Sequence, residues 1–334
     1  MRLWLALPPN HPRKGGNWVS ACRLAGELRD YGLEVFLEDA DQDHSVPEVE
    51  LIHAFHAYKA GLPALRAAER RNCPLVVTLT GTDLHENLKD LRTRESTRIV
   101  LEKAAAIVAL RESARDEIEA SWPALVDKTE VISPAVSLPE PDFSLKLDIE
   151  DQDVVFLLVS GIRAVKRPWL PLEPLERLRK EGLPVRLLIA GAPMENEAVL
   201  RLQESLSGKD WAQWLGELER PVLSGLYRRA HILLNTSVSE GMSNALLEGM
   251  SLGLTPLVAA IDGNLSLVEP GRDGLIFEDE DQLEEKARML IQDVELRQRL
   301  GAEAAAKIDR LFSRQIEGQA HLALYRRVLS GGSI

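Results

Sequence analysis

The chain has 334 residues, 45% of them hydrophobic and 28% charged, which is the make-up of an ordinary folded protein with room for two domains of roughly 150 to 180 residues each. Its net charge of −12 is spread over both halves and leaves no basic footprint for nucleic acid or an anionic membrane. Two cysteines, Cys22 and Cys73, are too few for a disulfide framework or a metal knuckle, so a reducing cytoplasm is the expected compartment. The opening MRLWLALPPN is too short an apolar run for a signal peptide, and no stretch approaches the roughly 18 apolar residues that a membrane span requires.

In chain order, short apolar runs alternate with helical patterns. Leu3–Leu7, Glu34–Leu37, Leu51–Ala54, Leu75–Leu79, Ala106–Leu110 and Glu130–Ile132 read as strands, with helices over Trp18–Asp30, Ala60–Arg71 and Arg94–Lys103 between them. Such βαβ repetition predicts a parallel sheet. The stretch from Ser137 to Asp153 is proline-punctuated, acidic and without period, and reads as a linker. A second alternating series follows through Val154–Val159, Val185–Ala190, Ile232–Leu234 and Pro256–Ala260, and Glu295–Ser330 reads as helix with no strand left to pair. The predicted organisation is a Rossmann-like α/β domain over 1–137, a linker over 138–152, a second Rossmann-like domain over 153–312 and a terminal helix over 313–334.

In such sheets ligands gather at the carboxyl ends of the strands, so the residues there carry the candidate chemistry. After the first strand, Gly15-Gly16-Asn17 suits close approach of the backbone to a phosphate at Gly16, or simply a flexible loop before a helix, while Lys14 reads as solvated. After the third come His53 and His56, which lack the further ligands of a metal site. The fourth ends in Thr80-Gly81-Thr82-Asp83, where Thr82 and Asp83 suit hydrogen bonds to sugar or acceptor hydroxyls, the plainer alternative being a helix-capping turn. In the second domain, Arg163 and Lys166 stand three residues apart directly after a strand and form a candidate clamp for a diphosphate, each charge-assisted bond stabilising by about 1.5–3 kcal/mol. Arg167 reads as a spectator. Gly191 and Gly216-Glu217-Leu218 follow other strands and are expected to receive a nucleotide base through backbone groups. The acidic strings Glu38–Asp41 and Asp279–Asp281 contain Asp-x-Asp, a pattern that holds divalent ions in some transferases, but both read as solvated. Asp39 follows no G-x-G-x-x-G, which sets aside a nicotinamide site.

The richest segment is SVSEGMSNALLEGMSLG, from Ser237 to Gly253. Gly241 frees the backbone, Ser243 is a good N-cap, and Asn244 opens an amphipathic helix whose positive end suits a phosphate. Glu248, inside that helix, would accept from ribose hydroxyls, and Glu240, on the loop, would face the group that the diphosphate carries.

Glu240 and Glu248 match the Glu-x7-Glu signature of the retaining nucleotide-sugar glycosyltransferases of GT-B type in the large fourth family, and the chain is identified as resembling them. FLLVSGIRAVKRP, WLGELER, LLNTSVSEGMSNALLEGM and DGNLSLVEPGRDGLIF follow that family's second domain in order and spacing. The GxRxVK and SVSEGMS wording and the Gly-Thr-Asp segment are shared with its short glycosyltransferase 1 domain-containing members, and less closely with selenosugar synthases. The resemblance implies two Rossmann-like domains with parallel sheets facing across a cleft, a final helix crossing back to the first domain, and His56 as a sugar contact. It also implies a nucleotide diphosphate sugar, expected to be UDP-linked, as donor and co-substrate, with no resident cofactor or metal and an acceptor that the sequence leaves unidentified. Glu240, Arg163 and Lys166 would carry the chemistry. A selenosugar synthase, or a binding protein without catalysis, stays open as an alternative.

Overall fold

The computed structural model describes residues 1–9, 16–81, 83–88 and 90–331 and divides the chain into two units, Met1–Ala135 with Phe312–Ile334, and Val136–Leu311. In the first unit six strands, β1 (Arg2–Leu7), β2 (Glu34–Asp39), β3 (Leu51–Phe55), β4 (Leu75–Thr78), β5 (Ala106–Ala109) and β6 (Thr129–Val131), pair in parallel in the order β2-β1-β3-β4-β5-β6. In the second, β7 (Val154–Val159), β8 (Val185–Ala190), β9 (Ala212–Trp214), β10 (Ile232–Asn235), β11 (Thr255–Ala259) and β12 (Leu275–Phe277) pair in parallel in the order β12-β11-β10-β7-β8-β9. Continuous apolar runs such as LWLAL and VVFLL suit strands covered on both faces, and their side chains are buried throughout. β9 is the strand expected before Gly216, for which no bounds were legible, and β12 lies outside the elements expected from sequence, its three residues giving too little pattern to read.

Each sheet reverses its winding once. The chain leaves β1 toward one edge and returns to place β3 on its other side; it leaves β7 likewise and returns at β10. A crevice opens at the carboxyl ends of the two strands flanking such a reversal, because their following segments depart in opposite directions. The crevices therefore lie beside His56 in the first unit and beside Ser160 and Thr236 in the second.

The expected linker runs with the second unit. Residues 137–145 lie along the helix Arg220–Tyr227: Asp142 donates its N–H to the Pro221 carbonyl at 2.9 Å, Ser224 Oγ donates to the Pro139 carbonyl at 2.9 Å, and Arg229 donates to the Leu145 and Phe143 carbonyls at 2.6 and 3.0 Å. Pro139 and Pro141 keep the strap extended, and Gly225 leaves the space that the Asp142 carbonyl occupies, which a Cβ would overlap. An aperiodic sequence hides this docking, since its bonds come from the backbone.

The stretch Glu295–Ser330 that reads as helical holds two helices, Val294–Leu311 and Arg314–Leu329, the second falling within the expected terminal helix and capped by Ser313, which accepts from the Ile316 N–H. The last helix belongs to the first unit. Gly318 lets it approach Glu27 and Tyr31, Arg23 and Glu317 form a buried two-pronged ion pair at 2.9 and 3.0 Å, and Tyr325 OH meets His53 Nδ1 at 2.6 Å while Thr78 Oγ1 meets Nε2 at 2.7 Å. Burial, and then each other's proximity for His53, pushes the His53 and His321 imidazoles below their ordinary range. Both are thus neutral when folded, whereas the unfolded chain takes up protons below about pH 6.5, so stability is lost as pH falls through that value. Between about pH 7.5 and 5.5 the stability should therefore fall, read as a lower urea midpoint at the more acid pH. A flat urea midpoint over that interval would show that neither ring is held neutral.

Candidate functional site

At the reversal between β7 and β10 a pocket is lined by Ser160, Lys166, Asn235, Ser237, Glu240 and Ser243. Its walls come from two strand ends, one loop and one helix start. After β10, Asn235 Oδ1 accepts from the Ser237 N–H at 3.0 Å and turns the chain. Gly263 then supports the loop from beneath, since any Cβ there would strike Glu240 and the Gly241 carbonyl. Ser243 accepts from the Leu246 N–H at 3.3 Å and starts the helix Asn244–Ser251, with Asn244 in its first turn. Gly249 lets that helix lie against Leu233 of β10. The positive end of the helix is thereby aimed at the pocket.

After β7 the chain makes a short turn over Ala164–Lys166 that Arg163 precedes. Lys166 Nζ donates to Glu240 Oε1 at 2.5 Å, with both side chains 12% exposed. The same oxygen accepts from Ser237 Oγ at 2.8 Å and from Asn235 Nδ2 at 3.4 Å. Arg163 has a buried Nε with no hydrogen-bond partner among the described residues, a donor provided and unused. Ser160 Oγ, in the pocket wall, is likewise buried and unpartnered. Arg167 differs from its expected role as a spectator. It turns into the left-handed region at φ 44°, and its Nε donates to the Thr236 carbonyl at 2.8 Å while Thr236 Oγ1 returns bonds of 2.7 and 3.0 Å to the Lys166 and Arg167 carbonyls. That latch fixes the β7 turn against the β10 loop and so holds Lys166 beside Glu240.

Glu248 lies outside the lining of this pocket, buried in the same helix. Arg220 Nη1 donates to its Oε1 at 2.6 Å and Tyr227 OH to its Oε2 at 3.1 Å. Burial, then the neighbouring carboxylate, raises the Tyr227 phenol well above its ordinary range, so it stays a donor. Gly191 bends the chain after β8 at φ 157°, where a Cβ would overlap the Ser160 carbonyl, and its own carbonyl accepts from Trp214 Nε1 at 3.0 Å. Leu218 sits half-buried in the loop between β9 and the helix Arg220–Tyr227. Asp279 caps the helix Glu280–Gln292 through the Gln282 N–H at 2.8 Å, and Asp281 is almost fully exposed.

In the first unit, Gly16 begins the helix Gly16–Asp30, and Thr82 lies outside the described residues. His56 is buried at φ 99°, a conformation that costs a bulky residue energy and persists only where its surroundings impose it. Its Nδ1 accepts from the Tyr58 and Lys59 N–H groups at 3.2 and 3.1 Å, which places the ring proton on Nε2. Asp83 departs from the reading as a sugar or acceptor contact. Its side chain is fully buried and accepts from the backbone N–H groups of Ala57, Thr80, Gly81 and Leu84 at 2.9–3.1 Å, tying the β3 loop to the β4 loop. With its oxygens committed to amides it orders the crevice and leaves hydroxyl recognition to others.

The sequence profile for glycosyl transferases group 1 matches residues 140–307, and that for a glycosyl transferase 4-like domain matches residues 2–135. The chain belongs to the group 1 glycosyl transferases. Along 333 residues the transferase is 24% identical to glycosyltransferase 1 domain-containing protein 1 of Xenopus tropicalis, with 96% of each chain covered. It is 25% identical over 308 residues to a D-inositol 3-phosphate glycosyltransferase of Paenarthrobacter aurescens, covering 84% of this chain and 74% of that one. Its fold matches that of Anabaena HepE in complex with UDP and glucose, with a TM-score of 0.79 at 18% identity over 98% and 100% of the two chains. It also matches sucrose-phosphate synthase from Thermosynechococcus elongatus, at 0.80 and 17% over 99% of both. The GT-B architecture expected from the motifs is thus the architecture of the transferase.

Sequence reasoning missed Asn235, Ser237, Arg220 and Tyr227. Asn235 and Ser237 flank Thr236 at a strand end, the position where candidate residues gather in such sheets. Arg220 and Tyr227 reach Glu248 from 28 and 21 positions away, and no local pattern announces them.

Proposed function

We propose that this group 1 transferase moves a sugar, with retention of configuration, from a UDP-linked donor to an acceptor, and that side-chain cations stabilise the diphosphate without a divalent ion. The observation that carries this reading is the convergence of Lys166, Glu240 and the helix start at Ser243 on one pocket at the β7/β10 reversal, with the unpartnered Arg163 Nε after the same strand. HepE, whose fold matches, is in complex with UDP and glucose, which supports the uridine donor. As the glycosidic bond breaks, the electron pair goes to the diphosphate, whose growing charge Arg163, Lys166 and the helix dipole stabilise. Glu240 supports the positive charge at the anomeric carbon. The acceptor hydroxyl attacks from the face the diphosphate leaves and passes its proton to the departing phosphate, so no further base is needed. Glu248 accepts from the ribose hydroxyls, while Gly191 and Leu218 border the base. His56 would present its Nε2–H to the sugar or acceptor. Cys22 and Cys73, which form no disulfide among the described residues, fit a reducing cytoplasm. Among the described residues no helix is long and apolar enough to cross a membrane.

UDP should stabilise the protein in EDTA: at about 100 times its dissociation constant it adds about 2.7 kcal/mol. A thermal shift that appears only on adding Mg²⁺ or Mn²⁺ would assign the diphosphate to a metal and sink this reading.

The Lys166–Glu240 pair adds an expectation of its own. A diphosphate competes with Glu240 for the same ammonium, so Glu240→Gln should bind UDP more tightly, by about tenfold, or about 1.4 kcal/mol, while transferring sugar more slowly. Calorimetry with UDP decides it: unchanged or weaker binding means that the pair and the diphosphate do not compete.

A further inference from the structure

Glu248 is held at both carboxylate oxygens by one helix. Arg220, at the start of the helix Arg220–Tyr227, pairs with Oε1, and Tyr227, at its end, donates to Oε2. The helix is itself fixed. Its Pro221 carbonyl and Ser224 hydroxyl bond the strap at Asp142 and Pro139, and Arg220 uses its second terminal nitrogen on the Ser137 carbonyl at 2.8 Å. The Arg220 side chain is 31% exposed and that of Glu248 only 7%, so the arginine stands on the open side of a nearly buried carboxylate. A carboxylate has about four lone-pair positions, and two donors at defined oxygens leave the others pointing in fixed directions within its plane.

From this arrangement we infer that Arg220 is a positioning residue for ribose recognition: by gripping Glu248 Oε1 and the Ser137 carbonyl together, it sets the plane in which Glu248 accepts from two vicinal hydroxyls. The inference rests on Glu248 as the ribose acceptor. Without Arg220 the carboxylate keeps, among the described residues, the Tyr227 bond alone and rotates about it, so an oriented two-point acceptor becomes a loose one. A lysine would restore a charge at Oε1, but its compact ammonium cannot span both partners as a guanidinium does.

The test compares UDP with 2′,3′-dideoxy-UDP, which lacks both hydroxyls, by calorimetry on the full chain. The parent protein should bind UDP more tightly. Arg220→Gln should weaken UDP about tenfold and leave the dideoxy analogue unchanged, with Arg220→Lys recovering part of the loss. Tyr227→Phe removes the other donor while keeping the packed ring, and should weaken UDP selectively and by less. Equal weakening of both nucleotides by Arg220→Gln, or weakening of neither, overturns the inference by reducing Arg220 to a support for the strap or to nothing. If the parent protein itself fails to distinguish the two nucleotides, the ribose role of Glu248 falls first and the inference with it, and that outcome is visible before any variant is made.

Discussion

Arg163→Ala and Lys166→Ala should each slow sugar transfer by about 10² to 10³, the loss that follows removal of one preorganised donor from a developing anion. The charge on the leaving diphosphate is greater in the transition state than in the bound donor, so the damage falls on turnover more than on affinity. The two variants should then part company. Arg163 has no partner at its buried Nε among the described residues, and its loss removes a donor from that atom's surroundings. Lys166 neutralises Glu240, and its loss leaves a carboxylate that is 12% exposed facing the phosphates, so donor binding weakens as well. Adding Glu240→Gln to Lys166→Ala should restore donor affinity while the rate stays low. Lys180, 73% exposed at the end of the helix Leu172–Lys180 and paired with Glu176, supplies the control. An Arg163→Ala enzyme as fast as Lys180→Ala would remove Arg163 from the clamp. Arg167 cannot serve as that control, because its bond to the Thr236 carbonyl holds the turn that carries Lys166.

Asp83→Ala is expected to cost stability rather than substrate affinity. It strands the amides of Ala57, Thr80 and Gly81 around a fully buried side chain, while the Leu84 N–H keeps its bond to the Gly81 carbonyl. Each buried donor left unpaired costs about 1–3 kcal/mol, and partial entry of water brings the expected total to about 3–6 kcal/mol. Asp83→Asn keeps one oxygen acceptor and should lose less. Chemical denaturation separates the two roles: an alanine variant as stable as its parent yet inactive would return Asp83 to the substrate.

These expectations also mark what the sequence could carry. The runs at Arg2–Leu7, Val154–Val159 and Val185–Ala190 are legible because a parallel strand buried on both faces is apolar at nearly every position, Arg186 being the exception inside the third. Glu240, Lys166 and Ser243 are legible because each stands at a strand end or helix start whose local pattern fixes its neighbourhood. Asp83 shows the limit. A carboxylate beside glycine and threonine reads equally as a hydroxyl acceptor or as the acceptor of its own loop, and only through-space contact with Ala57, 26 positions away, decides for the loop. The left-handed backbone of His56 and the grip of Arg220 on Glu248 are likewise imposed from outside their own segments.

The path of the chain through the first unit bears on how the protein is made. A ribosome delivers Met1–Ala135 first, yet that unit is completed only by Phe312–Ile334, after the whole of Val136–Leu311 has emerged. Until then Leu3, Leu5, Leu24 and Leu28 lack the cover of Leu324 and Tyr325, His53 lacks the phenol it bonds, and Arg23 lacks Glu317. The second unit, encoded without interruption, can close on itself while the first still waits with an apolar face open to water. Nascent chains are therefore expected to be open to proteases and to aggregation in the first unit until the helix Arg314–Leu329 has been made and completes it.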